Sequence, residues 1–399
     1  MQLNRKVKLV ILCAVVIFGN LIRMIPQLFN VGYAVFAYLS APIGQFDDYY
    51  KALYGNPQMP KYASITGFVN YPLGTIVYNL LSIFPDVDWP GSTPYGLITF
   101  TFIGLALFFC ALHLYNISLA TTLLLILSYP VLFNASRGNN ELIVCSLLLI
   151  SLHFKEIGKV GSASLLFICL NLFEPYPFPL VLWRSPFKTF YKLTRSVTVI
   201  ILIILFSIIG FNSADDYFQA LLHGGGFVTG SNNFSFLFTN SCMGAISIIS
   251  RIFTGEFIDI STPLWSWVTR IILIGGLATT IIALRIRTVN FADQIILVCG
   301  SWCLFVATSP DYRLVHLLLP LALLVEKKDF DSKEICQFVL LLLLIVPKHY
   351  IWFKSAKDGL GGTLNSLLGP ILLLGLIAVT IRHSPKKQPN DLPLLDMSR

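Results

Sequence analysis

Apolar residues occur along the chain in long blocks, separated by short polar, Pro-rich or charged stretches. A transmembrane α-helix needs roughly 17 to 25 mostly apolar residues, whereas the strands of a membrane barrel alternate apolar and polar positions. The pattern therefore predicts an all-α protein, a polytopic transmembrane helix bundle of about 10–12 spans. The predicted spans lie near residues 9–25, 96–115, 117–133, 141–154, 160–173, 176–184, 196–212, 263–284, 290–308, 312–325, 335–347 and 366–381.

The blocks at 160–173 and 176–184 are short, and they flank the string Glu174-Pro175-Tyr176-Pro177. They form either two crossings or a broken, re-entrant pair of helices. Such a pair is tolerated only where protein or a water-filled cavity surrounds the backbone. The number of spans in this region stays open.

The composition agrees with a bilayer as the solvent, because 55% of the residues are hydrophobic and only 12% are charged. The net charge of +8 comes from Lys and Arg residues scattered between the apolar blocks. They form no basic stripe with interleaved aromatic residues, so no nucleic-acid partner is expected. Most of them fall in segments that the alternation of spans places inside, together with both termini. Nearly all cysteines lie in apolar blocks, without disulfide or metal-type spacing.

The chain is expected to form a single transmembrane domain, residues 1–399, with two long outer segments. The first block follows Arg5, Lys6 and Lys8 and is interpreted as a retained signal anchor. The first outer loop, 26–95, carries acidic residues and a stretch, 71–84, that predicts an interfacial helix. The second, 213–262, is rich in Gly, Asn and Phe, a composition typical of a mobile loop over a site.

Polar residues that can carry chemistry gather in the segments predicted to lie outside. A cavity lined by carboxylates and by Arg, Lys and His suits a reaction in which a base activates a hydroxyl while a phosphate leaves. These residues are Asp47, Asp48, Arg137, Gly138, Asn139, Asn140, Glu141, Glu174, Tyr176, Asp311, Arg313, His316, Lys348 and His349.

The acidic and Asn-rich positions each allow a second interpretation. Asp47 and Asp48 are adjacent, so one of them can have a raised pKa, but adjacent acids in a loop are also often simply solvated. The string Ser136–Glu141 precedes a predicted helix whose N-terminus offers N–H groups to an anion. The alternative is an ordinary helix cap with a glutamate in the first turn.

The basic positions also allow two interpretations each. Arg313 and His316 lie about one helical turn apart and share a face, so they present two donors to a phosphate or act as interfacial anchors. Lys348 and His349 are followed by Tyr350, Trp352 and Phe353. This run is typical of an interfacial aromatic belt, which also attracts lipid phosphates.

Four stretches carry a resemblance to a known family. In order they are FDDYYKAL with the later VNYPLG, then SRGNNELIV, LFEPYPFPLVLW and SPDYRLVHLLLP. They resemble the GT-C superfamily of polytopic glycosyltransferases, which use polyprenyl- or dolichyl-phosphate sugars. More narrowly, they are similar to the branch with the phosphatidylinositol-mannoside mannosyltransferases and the enzyme that adds the first mannose of the GPI anchor.

The resemblance implies an inverting hexosyltransferase that transfers mannose from a polyprenyl-phosphate donor to a lipid or glycan acceptor on the non-cytoplasmic face. Asp47 or Asp48 would be the general base. Relatives usually have Lys where Glu174 stands, so the donor phosphate would need another cation. Phosphate-binding residues would be Arg137, Arg313, His316, Lys348 and His349. Substrate-binding residues would be Tyr49, Tyr50, Tyr71, Asn139, Asn140, Glu141, Glu174 and Tyr176.

No cofactor is assigned, and a divalent cation is an open alternative. The expected location is a bacterial cytoplasmic membrane with the site on the outer face, or an ER membrane in a eukaryote. Two other functions stay open: a non-catalytic subunit of a membrane glycan-processing complex, and a lipid or glycan transporter. A transporter would place ionisable residues near the bilayer midplane and often show a pseudo-symmetric repeat.

Overall fold

The described part of the chain is mostly α-helical. A computed structural model describes residues 4–28, 95–137, 139–173, 239–258, 262–305, 311–348, 352–353 and 362–385. The helices are α1 (Arg5–Leu28), α2 (Tyr95–Leu114), α3 (Leu119–Ile126), α4 (Tyr129–Arg137), α5 (Glu141–Glu156), α6 (Val160–Phe173), α7 (Cys242–Thr254), α8 (Pro263–Ile286), α9 (Phe291–Phe305), a 3-10 helix (Asp311–Leu317), α10 (Leu318–Glu326), α11 (Ser332–Ile345) and α12 (Leu364–His383). Two short strands, β1 (Trp352–Phe353) and β2 (Gly362–Thr363), pair antiparallel before α12.

Most predicted blocks that fall within the described ranges coincide with one helix each. These are α1, α2, α5, α6, α8, α9, α11 and α12. The blocks at 176–184 and 196–212 and the predicted interfacial stretch 71–84 lie outside the described residues. Helix α7 was not predicted, because its segment 213–262 was interpreted as a loop.

The predicted block 117–133 is not one helix but two, α3 and α4, with a break between Ile126 and Tyr129. Pro130 explains the break, because it has no N–H to donate to the carbonyl of Ile126 in a continuous helix. Helix α1 covers the break, where the Asn20 side-chain amide donates to the carbonyl of Leu127 at 3.0 Å. A backbone carbonyl that the break releases is therefore hydrogen-bonded by a neighbouring helix.

Most of the described helices pack around one large apolar core, and a smaller cluster around Met243 and Ile248 of α7 packs against α8. Helix α5 packs against α2 and α6, while α12 packs against α9 and α11, and α8 lies against α9. The core includes Leu12, Phe108, Leu148 and Leu373, which are all at most 1% exposed.

The outer faces of several helices are apolar as well. On α8, the side chains of Leu264, Trp267, Ile271 and Ile274 are each 61–68% exposed. Their spacing of three or four residues makes a stripe along one face of the helix. Two described helical stretches, Trp267–Ile286 and Leu364–His383, are long and apolar enough to cross a membrane, judged by length and composition.

One end of the bundle is held together by ion pairs between helix termini. Arg5 Nε lies 2.7 Å from a Glu326 carboxylate oxygen, which joins the start of α1 to the end of α10. Lys327 pairs with Glu334, and Lys333 pairs with Asp293 at the start of α9. We call these residues, together with Lys8, the ion-pair end. Its basic residues all belong to segments that the sequence analysis assigns to the inner side.

Lys8 is buried in this network although it carries a charge. Its ammonium group donates to the carbonyls of Leu324, at 3.3 Å, and Lys327. It also lies 3.6 Å from the centroid of the Phe330 ring, a cation–π contact. The lysine therefore fastens α1 to the turn between α10 and α11.

Candidate functional site

The 3-10 helix places two basic side chains on the same side of the chain. Pro320 lies in the first turn of α10. Proline has no N–H to donate to the carbonyl four residues earlier, here that of His316, and its ring clashes with that carbonyl. The His316 carbonyl therefore cannot accept a regular α-helical hydrogen bond. The chain before α10 is wound as a 3-10 helix, in which residues three apart eclipse each other. Arg313 and His316 have this spacing and therefore project on the same side.

The corner between α4 and α5 is shaped by two asparagines. The N–H of Asn139 donates to the carbonyl of Asn134 at 3.2 Å, a bond across five residues that is typical of a Schellman turn ending a helix. The Asn139 side-chain oxygen then accepts the N–H of Glu141 at 2.9 Å. Helix α5 thus begins at Glu141, whose negative charge lies at the positive end of the helix dipole.

The carboxylate of Glu141 bridges the two basic residues of the 3-10 helix. One oxygen lies 2.8 Å from Arg313 Nε, and the other lies 3.0 Å from His316 Nε2. The side chains of Glu141 and His316 are both 2% exposed, and that of Arg313 is 11% exposed. We call these three residues the Glu141 triad.

Neighbouring helices hold the 3-10 helix in place. The Cys145 thiol of α5 donates to the carbonyl of Val315 at 3.5 Å. The Cys303 thiol of α9 lies 3.9 Å from the carbonyl of Arg313, a long and weak hydrogen bond. Helix α4 also packs directly against this segment. The backbone beneath Arg313 and His316 is therefore supported from three helices.

The charges of the triad are not matched one to one. A single carboxylate contacts a permanently charged guanidinium and an imidazole that is a cation when protonated. A buried ion pair of this kind contributes little net stability, and removing one partner typically costs about 3–5 kcal/mol. Guanidinium and imidazole donors are also the groups that bind phosphate oxygens. The triad can serve an anionic ligand that reaches it from the side of Arg313, its most exposed member.

The other predicted site residues fall into three groups. The backbones of Arg137, Asn140 and Asp311 are described, and Asn140 is the N-cap residue of α5 without a side-chain cap bond. Lys348 donates to the carbonyls of Leu343 and Val346, at 2.9 and 2.6 Å, so it caps the end of α11. Outside the described residues lie Asp47, Asp48, Tyr49, Tyr50, Tyr71, Gly138, Glu174, Tyr176 and His349.

One residue of this region was not among the predicted site residues. The side chain of Asn134 on α4 is 1% exposed, and its amide nitrogen makes no hydrogen bond to any residue that the structure describes. The same residue supplies the carbonyl that closes the corner before Glu141. The only sequence signal was an asparagine inside an otherwise apolar segment, YPVLFNA.

Among the described residues, no group of three or more His, Cys, Asp or Glu side chains is arranged to hold a metal ion. The two aspartates for which a divalent cation was an open alternative are not among them.

Comparisons of the chain with protein-family models, with curated proteins and with solved structures return no match.

Proposed function

We propose that the protein is a multi-pass membrane glycosyltransferase of the GT-C type. It transfers a hexose, which the resemblance indicates is mannose, from a polyprenyl-phosphate donor to a lipid or glycan acceptor on the non-cytoplasmic face. Asp47 or Asp48 acts as the base, and the Glu141 triad lies at the donor phosphate.

The observation that carries the proposal is the meeting of two stretches that are far apart in the sequence. SRGNNELIV supplies Glu141 and SPDYRLVHLLLP supplies Arg313 and His316, which contact each other across more than 170 residues of chain. Both stretches are among the four that carry the resemblance. A buried charged group is expensive to keep, so its presence at a helix end favours a role in binding or catalysis.

The multi-pass arrangement is supported by where apolar and charged side chains lie. Large apolar residues are exposed on the outer faces of α1, α2, α8 and α12, whereas Glu141, His316 and Asp293 are buried between helices. Exposed apolar stripes of this length would be unfavourable in water and are favourable in lipid. A bundle with apolar outer faces and charged groups inside fits a bilayer.

In the proposed reaction the acceptor hydroxyl attacks the anomeric carbon of the donor sugar. The bond from that carbon to the phosphate oxygen breaks, and the oxygen keeps the electron pair. The aspartate takes the hydroxyl proton, and the configuration at the anomeric carbon inverts. Arg313 stabilises the negative charge that develops on the leaving phosphate.

The test is a transfer assay with the full chain purified into lipid nanodiscs. Labelled polyprenyl-phosphate mannose and membrane lipid extracts are supplied, and products are identified by mass spectrometry. An acceptor whose mass has increased by one hexose supports the proposal. Donor that is bound and never consumed indicates a non-catalytic subunit. Donor carried unchanged across the bilayer of sealed liposomes containing the same chain indicates a transporter.

The role of the base is tested separately. Asp47→Asn or Asp48→Asn should abolish transfer while donor binding is retained. Full activity in both single variants would contradict the assignment of either aspartate as the base.

A further inference from the structure

The Glu141 triad combines a cationic phosphate-binding group with a built-in negative charge. Glu141 contributes one negative charge and Arg313 one positive charge, so the pair is neutral. The three side chains together carry a net charge of zero with neutral His316 and of +1 with protonated His316. A site with Arg313 and His316 but without the carboxylate would carry more positive charge and would bind an anion more tightly.

The proposed reaction changes the charge of the phosphate that this site holds. In the donor the phosphate is a diester with one negative charge. After the sugar leaves, the carrier is a phosphate monoester, whose second pKa near 6 gives it about −1.5 to −2 charges at neutral pH. A strongly cationic site would therefore hold the product more tightly than the donor and would slow its release.

We infer that Glu141 sets the charge of the phosphate site so that the monoester product is released, an inference that rests on the proposed function. Glu141 acts as a positioning residue. Both of its carboxylate oxygens contact the triad bases, and its side chain is 2% exposed. It acts on the ligand through Arg313, whose side chain has the greatest exposure in the triad.

The same contacts explain why the negative charge comes from a residue at a helix start. Glu141 is the first residue of α5, where the helix dipole favours a negative charge. The Asn139 side chain holds the backbone of Glu141 at this corner. The counter-charge is thus fixed next to Arg313 and does not depend on a mobile side chain.

The experiment compares two short-chain polyprenyl probes that differ only in the phosphate, a monophosphate and its methyl diester. Their affinities are measured for the full chain in nanodiscs, as wild type and with Glu141→Gln or Arg313→Gln. The reported quantity is the ratio of monoester to diester affinity. Glutamine keeps the size of glutamate and removes one negative charge.

We expect Glu141→Gln to raise this ratio about tenfold, since the removed negative charge repels the monoester, with its additional charge, more than the singly charged diester. In steady-state transfer, the variant should show stronger inhibition by the monoester product. We expect Arg313→Gln to lower the ratio, a result that stays informative where Glu141→Gln does not fold.

An unchanged ratio in a folded Glu141→Gln, or an equal loss of both affinities in either variant, overturns the inference. A merely structural role for Glu141 would produce such an equal loss. A wild-type chain that binds neither probe contradicts the proposed function itself, which separates the two failures.

Discussion

The ion-pair end and the Glu141 triad are both built from charged side chains at helix ends, but they differ in how acids and bases are paired. At the ion-pair end each acid has its own base, and the pairs range from exposed, with Arg5 and Glu326 at 43% and 20%, to buried, with Lys333 and Asp293 at 11% and 2%. In the triad one acid serves two bases, and none of the three side chains is more than 11% exposed. The first arrangement joins helices through separate pairs, whereas the second places two basic side chains on one carboxylate.

We expect this difference in pairing to make the two ends respond differently to substitution. Exposed pairs typically contribute 0–1 kcal/mol, and they tolerate substitution. Buried groups such as the triad are costly to assemble, and the loss of one partner leaves an uncompensated charge. An equal response of both ends to substitution would therefore remove the distinction.

The largest expected effect is that of Glu141→Ala. The substitution leaves Arg313 and His316 without their carboxylate and should lower the free energy of unfolding by about 3–5 kcal/mol. Arg5→Ala is the control at the ion-pair end, because the Arg5 side chain is 43% exposed and Glu326 keeps its hydrogen bonds from Ser118 and Thr121, so about 1 kcal/mol is expected. Thermal unfolding of both variants in one detergent decides the point. An equal decrease of the two unfolding temperatures would contradict the expected difference between the triad and the ion-pair end.

A smaller loss of stability is expected for Lys8→Met. Methionine keeps the length of the side chain but leaves the carbonyls of Leu324 and Lys327 without this donor, which should cost about 1–3 kcal/mol. Lys6→Met is the control, because Lys6 is exposed on the same helix turn and should change stability by at most about 0.5 kcal/mol. Mannose transfer should be retained in both variants, and loss of transfer in a stable Lys8→Met would tie this end to the reaction.

Asn134→Leu should change stability in the opposite direction. It removes a buried amide nitrogen that lacks a described partner and should stabilise the fold by up to about 1 kcal/mol, while transfer activity falls. Asn20→Leu is the contrasting control, because its amide donates to Leu127 and its loss should destabilise. A destabilised Asn134→Leu with full activity would show that this amide has only a structural role.

The smallest expected effect is a loss of stability at the ion-pair end at acid pH. Burial raises the pKa of the Glu326 carboxyl, but hydrogen bonds from Ser118, Thr121 and Arg5 outweigh it, so the pKa is lowered from 4.5. Its contribution to stability is thus complete above the unfolded-state pKa and is lost as the pH falls through the lower folded-state value. Hydrogen exchange at the start of α1 should increase below about pH 4. Glu326→Gln should flatten this pH dependence, and an equally steep response in that variant would assign it to another group.

The positions of most described helices could be predicted because the length of an apolar block is a local property. Helices α5, α6 and α12 lie within a few residues of their predicted blocks. The break before α4 could not be predicted from apolarity alone, although Pro130 marks it. Helix α7 was missed because its segment was judged by the Gly- and Asn-rich string that precedes it.

The candidate site was predictable in its parts and not in its pairing. The spacing of Arg313 and His316 indicated a shared face, and Glu141 was expected at a helix start. That the same glutamate binds both bases was not predicted, because no local pattern relates residues so distant in the sequence. The contacts of the Lys348 ammonium group with the carbonyls at the end of α11 were likewise not predicted from the sequence.

By itself, the sequence determined that this chain is helical, that its apolar blocks have the length of membrane spans, and which charged residues lie at helix ends. These properties depend on neighbouring residues along the chain. Only the tertiary structure decided that Glu141 contacts both Arg313 and His316, and that Lys8 is buried among backbone carbonyls. Such contacts depend on how helices pack, and packing brings together groups whose distance along the chain carries no information about their distance in space.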